Sequence, residues 1–185
     1  LTDAGNSYGE KTALRRFSLT VERGERIALR GENGCGKSTA VKLLAGELAT
    51  QSGIVQVPGD LRISYLPQNV REIGGTVAEY AAARGAEPAL VMAILNKFNL
   101  RSELFSRDVS AYSDGQKKKV ALAVSLATPA HLYIWDEPLN FIDLVSRIQI
   151  EDLLLEYRPT MLFIEPDAAF CRRVATRTVE MFRPQ

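Results

Sequence analysis

The sequence predicts an α/β domain with a mainly parallel core sheet and helices on both faces. Three observations lead there. Short apolar runs, HLYIW (131–135) and TMLFI (160–164), are too short for helices and read as buried strands. Segments with helical spacing of apolar residues, above all DGQKKKVALAVSLA (114–127) and LVSRIQIEDLLLEY (144–157), stand between and beside them. Alternation of this kind closes into one sheet layered between helices. Finally, GENGCGKST (31–39) is a glycine-rich turn that joins a strand to a helix.

The elements follow in order. FSLTVERGERIALRGENG reads as two short strands around the Glu22–Glu25 turn, with Gly24 supplying the turn. Residues 38–48 read as a helix. GIVQV (53–57) and RISYL (62–66) alternate like strands about Pro58-Gly59. From Thr76 to about Leu104 the pattern is helical, broken near Gly85 and Pro88. After the 114–127 helix come the 131–135 strand, the 144–157 helix and the 160–164 strand. A short helix near 167–175 and a strand near 177–182 finish the chain.

The bulk numbers narrow the function classes. A chain of 185 residues is long enough for a single domain, 1–185, with its own core. Hydrophobic residues at 46% and charged residues at 24% are an ordinary soluble composition. A net charge of +1 gives no global field to attract nucleic acid or an anionic membrane. No apolar run approaches the roughly 20 residues that span a bilayer, and the polar start LTDAGNSYGE is not a signal peptide. Cys35 and Cys171 lie far apart, and His131 is the sole histidine, so no metal-ligand cluster is expected and a reduced, cytoplasmic setting is. The chain does not begin with Met, and is expected to be part of something longer.

GENGCGKST fits G-x-x-x-x-G-K-[ST], with a predicted strand before it and a helix after it. Gly31, Gly34 and Gly36 let the backbone curl, so that N–H groups along the loop, Asn33, Cys35 and Thr39 included, can face phosphate oxygens. The helix adds its positive N-terminal end. Lys37 is expected to reach the β- and γ-phosphates and Ser38 to ligate Mg²⁺. The competing reading is a glycine-rich turn with a stray lysine. Asp136 and Glu137 end the 131–135 strand. They are candidates for holding Mg²⁺ and for polarising an attacking water, against a solvated acidic turn. His131 sits at that strand's opposite end and reads as structural.

YSDGQKKK (112–119) opens the long helix, and Ser113 with Gln116 matches a capping box. In the order phosphate loop, SYLPQ, YSDGQ, WDEPLNFID, the chain resembles the ATP-binding cassette (ABC) ATPases along essentially its whole length. The resemblance implies a P-loop NTPase fold with a small antiparallel β subdomain and a short helical arm over about 70–112, ATP and Mg²⁺ as cofactors, and hydrolysis of ATP to ADP and phosphate. By motif position it implies that Tyr8 stacks on adenine and that Gln68 lies near Mg²⁺ and the attacking water. Ser113, Gly115 and Gln116 become the signature that meets the nucleotide of a second cassette, Asp136 the metal-holding carboxylate, Glu137 the catalytic one and Asp143 the D-loop aspartate. WDEPLNFIDL, YSDGQKKKV and PTMLFIE further resemble the C-terminal cassette of ABC-F proteins, nearest the subgroup that protects bacterial ribosomes from lincosamides, streptogramins A and pleuromutilins. That implies a partner cassette in the same chain or as a dimer, ribosome and tRNA as partners, and no membrane domain.

The chain departs from the pattern twice. Asp114 stands where most cassettes have glycine, as in that subgroup. Pro166 stands where the family has a switch histidine that contacts the γ-phosphate, and proline can neither donate a hydrogen bond nor take a proton. The expectation is therefore Mg-ATP binding with slow hydrolysis. Two other classes stay open: the ATP subunit of a membrane transporter, which requires a docking groove built from residues after Gln68, and a non-hydrolytic module that uses ATP as glue. DNA-repair cassettes are a third, lacking here their long insertion. Lys117, Lys118 and Lys119 fan around the helix and read as solvated or helix-packing, with a lesser prospect of phosphate contact.

Overall fold

A computed structural model describes residues 1–70 and 73–183. The predicted arm (70–112) and domain (1–185) also run over positions 71, 72, 184 and 185, which lie outside the described residues. The core is a five-stranded sheet in the order β5-β6-β7-β3-β8. Its strands are β3 (Arg26–Gly31), β5 (Ile63–Leu66), β6 (Leu132–Asp136), β7 (Met161–Ile164) and β8 (Arg177–Met181). Every pairing in it is parallel, with Asp136 beside Ile164 and Leu29 beside Ile164 in register. The C-terminal tips of β6, β7 and β3 therefore share one edge, where open α/β sheets bind their ligands.

Alternation along these strands divides the interior into two cores. Ile27, Leu29, Ile134, Leu162 and Ile164 face α1 (Lys37–Ala45). Ala28, Trp135, Met161 and Phe163 face the other helices. These are α2 (Val77–Ala82), α3 (Pro88–Lys97), α4 (Asp114–Ala127), α5 (Leu144–Tyr157) and α6 (Ala168–Val174). Phe163 meets Phe170 of α6 edge-on, with ring centroids 5.5 Å apart. All four residues of β7 are buried, which explains why the central strand reads as an unbroken apolar run. Among the described residues, no helix is long and apolar enough to cross a membrane.

A second, antiparallel sheet has the order β2-β1-β4. It is built from β1 (Thr2–Tyr8), β2 (Lys11–Phe17) and β4 (Ser52–Ile54). Here the structure corrects the reading of the sequence. The strand expected over FSLTV does not form: β2 stops at Phe17, just after Arg16 enters the left-handed region at φ 45°. Beyond it, the contact continues through the Asp3 N–H, which donates to the Ser18 hydroxyl at 2.9 Å, and a reciprocal pair of bonds between Leu1 and Leu19. GIVQV gives only a three-residue edge strand, exposed throughout. Thr76 caps α2 through a capping box with Glu79, and the arm then turns back before α3.

Candidate active site

The phosphate loop runs from the tip of β3 to the start of α1. Gly36 is the N-cap of α1 at φ 99°, and a Cβ there would collide with the Ala13 carbonyl of β2. Only glycine meets both demands. The contact seats the loop against the hairpin that carries Tyr8, which is 53% exposed at the end of β1. Lys37 donates to the carbonyls of Gly31 (2.7 Å) and Glu32 (2.9 Å), so its ammonium lies across the loop. Gly34 and Asn33 are exposed. Cys35 and Thr39, expected among the nucleotide-binding residues, have buried side chains, and Cys35 packs into the core facing α1. What these two can offer a phosphate is backbone. Arg183, past β8, pairs with Glu32 at 3.1 Å and donates to the Asn33 carbonyl at 3.3 Å. Sequence gave no signal for this brace.

Asp136 is 2% exposed. Burial raises its carboxyl above the ordinary range, while a hydrogen bond from Ser38 opposes the rise. Its Oδ1 is buried without a hydrogen-bond partner. An orphaned carboxylate oxygen beside a hydroxyl, at the mouth of a phosphate loop, is the donor set a hard divalent cation takes. Among the described residues no group of three or more His, Cys, Asp or Glu could hold a metal. The remaining ligands of such a cation would have to come from phosphate and water, as is usual for Mg²⁺.

Glu137 follows in the left-handed region at φ 49°, with its N–H donating to the Ile164 carbonyl at 2.8 Å. Non-glycine residues held there commonly store strain of about 1–3 kcal/mol, and cluster at functional sites. Two amides fix the side chain: Gln68 donates to Oε2 at 2.7 Å, and Asn140 donates to the same oxygen. Gln68, expected at the metal, thus engages the candidate general base. Asn140 was not singled out in the sequence, although it lies in WDEPLNFID three residues after Glu137.

Ser113 caps α4 in the expected capping box: its hydroxyl accepts from the Gln116 N–H, and Gln116 Oε1 accepts from the Ser113 N–H at 3.0 Å. A Cβ on Gly115 would sit 2.6 Å from the Phe141 carbonyl, so the segment after β6 packs directly on this turn. Phe141 is itself left-handed and 70% exposed. Of the basic run, Lys118 and Lys119 take the helix-packing alternative, and Lys117 is half-buried. Lys118 is 1% and Lys119 8% exposed. Lys119 donates to the Phe98 carbonyl at 2.7 Å and pairs with Asp143 at 2.6 Å. Burial alone would raise the Asp143 carboxyl, but Lys119 and the Ser146 bonds hold it well below the usual range.

At the tip of β7, Pro166 is exposed. Its neighbours are occupied. Glu165 accepts from the N–H groups of Leu139 and Asp167, both at 3.1 Å. Asp167 caps α6 and pairs with Arg147 at 3.3 Å, and Arg147 also donates to the Leu139 and Ile142 carbonyls. His131 is far from this edge, at the start of β6, where its Nδ1 accepts from the Arg62 N–H at 3.0 Å.

A family model described as ABC transporter matches residues 14–140. The chain is 33% identical over 183 residues to the ATP-binding protein Uup of Caulobacter vibrioides, covering 94% of this chain and 30% of the relative. It is 31% identical over 180 residues to ABC transporter F family member 5 of Arabidopsis thaliana, covering 94% and 26%. The chain thus spans under a third of the length of these relatives. Among solved structures it superposes on the archaeal ribosome recycling factor aABCE1, crystallised with the ribosomal stalk protein aP1. The TM-score is 0.77 at 27% identity, over 96% of this chain and 35% of that one.

Proposed function

This chain belongs to the ABC transporter family, and from that premise we propose that it is an ATPase cassette of the F type that binds Mg-ATP and hydrolyses it slowly. It closes against a second cassette and acts in the cytoplasm on the ribosome, in protection against antibiotics. The observation that carries the nucleotide chemistry is the Asp136-Glu137 pair. One carboxylate is buried with an unpaired oxygen beside Ser38, and the other is held by Gln68 and Asn140. Lys37 and the loop amides bind the phosphates. Ser38 and Asp136 would hold Mg²⁺, which, when bound, neutralises charge on the β- and γ-oxygens. Glu137 orients and deprotonates the attacking water. Tyr8 covers the base. No side chain at position 166 can reach for the γ-phosphate, and loss of one such group costs about 10²–10³ in rate.

The second cassette is supported by an exposed apolar patch next to the capped start of α4. Phe141, Leu144, Val145 and Ile148 are 70, 72, 56 and 43% exposed, and contiguous apolar surface of this kind marks an interface. The ribosome is supported by the motif resemblance, by the F-family relative and by the likeness to the recycling factor.

The test is phosphate release from Mg-ATP at high protein concentration, with nucleotide binding checked throughout. Pro166→His is expected to raise turnover by about 10²–10³, and Glu137→Gln to abolish it. Equal turnover with proline and histidine overturns the slow-hydrolysis reading. Turnover that survives Glu137→Gln removes its assigned role. A transporter subunit is the second reading, favoured by a groove of about 420 Å³ lined by Leu66, Asn69, Val70, Ile73, Tyr80 and Arg84. Co-purification with a membrane protein would select it.

A further inference from the structure

Lys118 is the most buried lysine of the basic run, and among the described residues its hydrogen-bond partners are carbonyls rather than carboxylates. Its Nζ donates to the carbonyls of Pro67 and Gln68, each at 3.2 Å. Those residues follow β5, and the side chain of Gln68 holds Glu137 at 2.7 Å. Burial pushes the ammonium down to about 8, although Asp136, Glu137 and Glu165 all pull it the other way. A methionine of similar length would fill this seam without the cost of desolvating a charge. Packing alone does not call for an ammonium here.

Resting on the ATPase reading above, we propose that Lys118 is a positioning residue for hydrolysis: from the helix that starts at Ser113 it grips the Pro67-Gln68 backbone and so sets where Gln68 holds Glu137. The grip also joins two sites. Ser113 and Gly115 open α4 one turn before Lys118, so a ligand seated on that turn is mechanically connected to the general base of this chain. Lys119, next along the helix, ties the same turn to Phe98 and Asp143.

The test uses the full chain and two readouts: backbone hydrogen exchange, and Mg-ATP turnover. In Lys118→Met the amides of residues 68–70 exchange faster, while those of the phosphate loop and of β6 and β7 do not change. kcat falls by about 10²-fold, the usual penalty of a small misplacement, and KM is little altered. Lys118→Arg restores both readouts. In a Gln68→Ala background, Lys118→Met causes no further loss of kcat. Unchanged exchange at 68–70 overturns the proposal. So does an equal fall in kcat with and without Gln68, because the lysine would then act elsewhere. If Lys118→Met loses protection in β6 and β7 as well, the chain is unfolding, and Lys118→Gln replaces it under the same criteria. Glu137-dependent turnover that is intact in Lys118→Met sinks the positioning role alone. Phosphate release absent from every variant, Pro166→His included, sinks the ATPase reading and the hydrolytic role with it.

Discussion

The tips of β6 and β7 lie side by side, and they treat their polar groups in opposite ways. At the β6 tip, Asp136 keeps a buried oxygen without a partner, and Glu137 sits in a costly backbone conformation, held by one amide from its own loop and one from the loop after β5. At the β7 tip everything polar is spent. Glu165 closes two backbone N–H groups, and Asp167 caps a helix and pairs with Arg147. An edge that leaves groups unsatisfied holds them in reserve for a ligand, because an unpaired buried oxygen costs folding free energy otherwise. An edge that satisfies them all is structural. The contrast lies in what each tip leaves unpaired: a buried carboxylate oxygen at β6, and carboxylates already bonded at β7.

Three changes would break or sharpen this contrast. The largest effect is expected from Lys37→Ala, which deletes the loop's ammonium. Loss of one partner from a buried charged contact costs about 2–5 kcal/mol, so titration calorimetry should find Mg-ATP affinity down by that amount. Affinity within error of the parent would move the phosphates off this loop. Next is Glu165→Ala. It orphans two N–H groups at the β7 tip, at about 1–3 kcal/mol for each group left buried. Denaturant unfolding should therefore show a loss of about 2 kcal/mol or more, and a neutral result would mean that the tip is not the brace described. The smallest effect, of opposite sign, belongs to Asp136→Asn. Its carboxyl is held above the ordinary range, so its contribution to stability is fully present only below the unfolded value and is lost as pH rises through the folded one. At neutral pH the ionised form is a net cost. The variant should raise the thermal midpoint of the nucleotide-free chain and weaken Mg²⁺-dependent ATP binding. A lowered midpoint would mean that the carboxylate is structural.

Much of this was legible because it is local. The phosphate loop is a spacing, β6 and β7 are apolar runs, and the Ser113 cap is a four-residue pattern. The missing histidine could be read for the same reason. What was illegible depends on partners far along the chain. YSDGQKKK leaves solvated and helix-packing lysines equally open until carbonyls from Pro67, Gln68 and Phe98 and the Asp143 carboxylate are brought to Lys118 and Lys119. Arg183 braces Asn33 across 150 positions. The β1–β2 hairpin escaped because TDAGNSY has almost none of the branched and aromatic residues that mark strands. It is held in place by its pairing and by the close approach of Ala13 to Gly36.

The exposure of Pro166 also has a consequence in the genetics of the chain. Some proline codons become histidine codons by a change of the middle base. A side chain at an exposed tip, with no packing to rebuild, sets no stability barrier to that change. The proline and histidine forms of this tip are therefore adjacent in mutational space, and a lineage carrying either one can reach the other without first acquiring a compensating substitution.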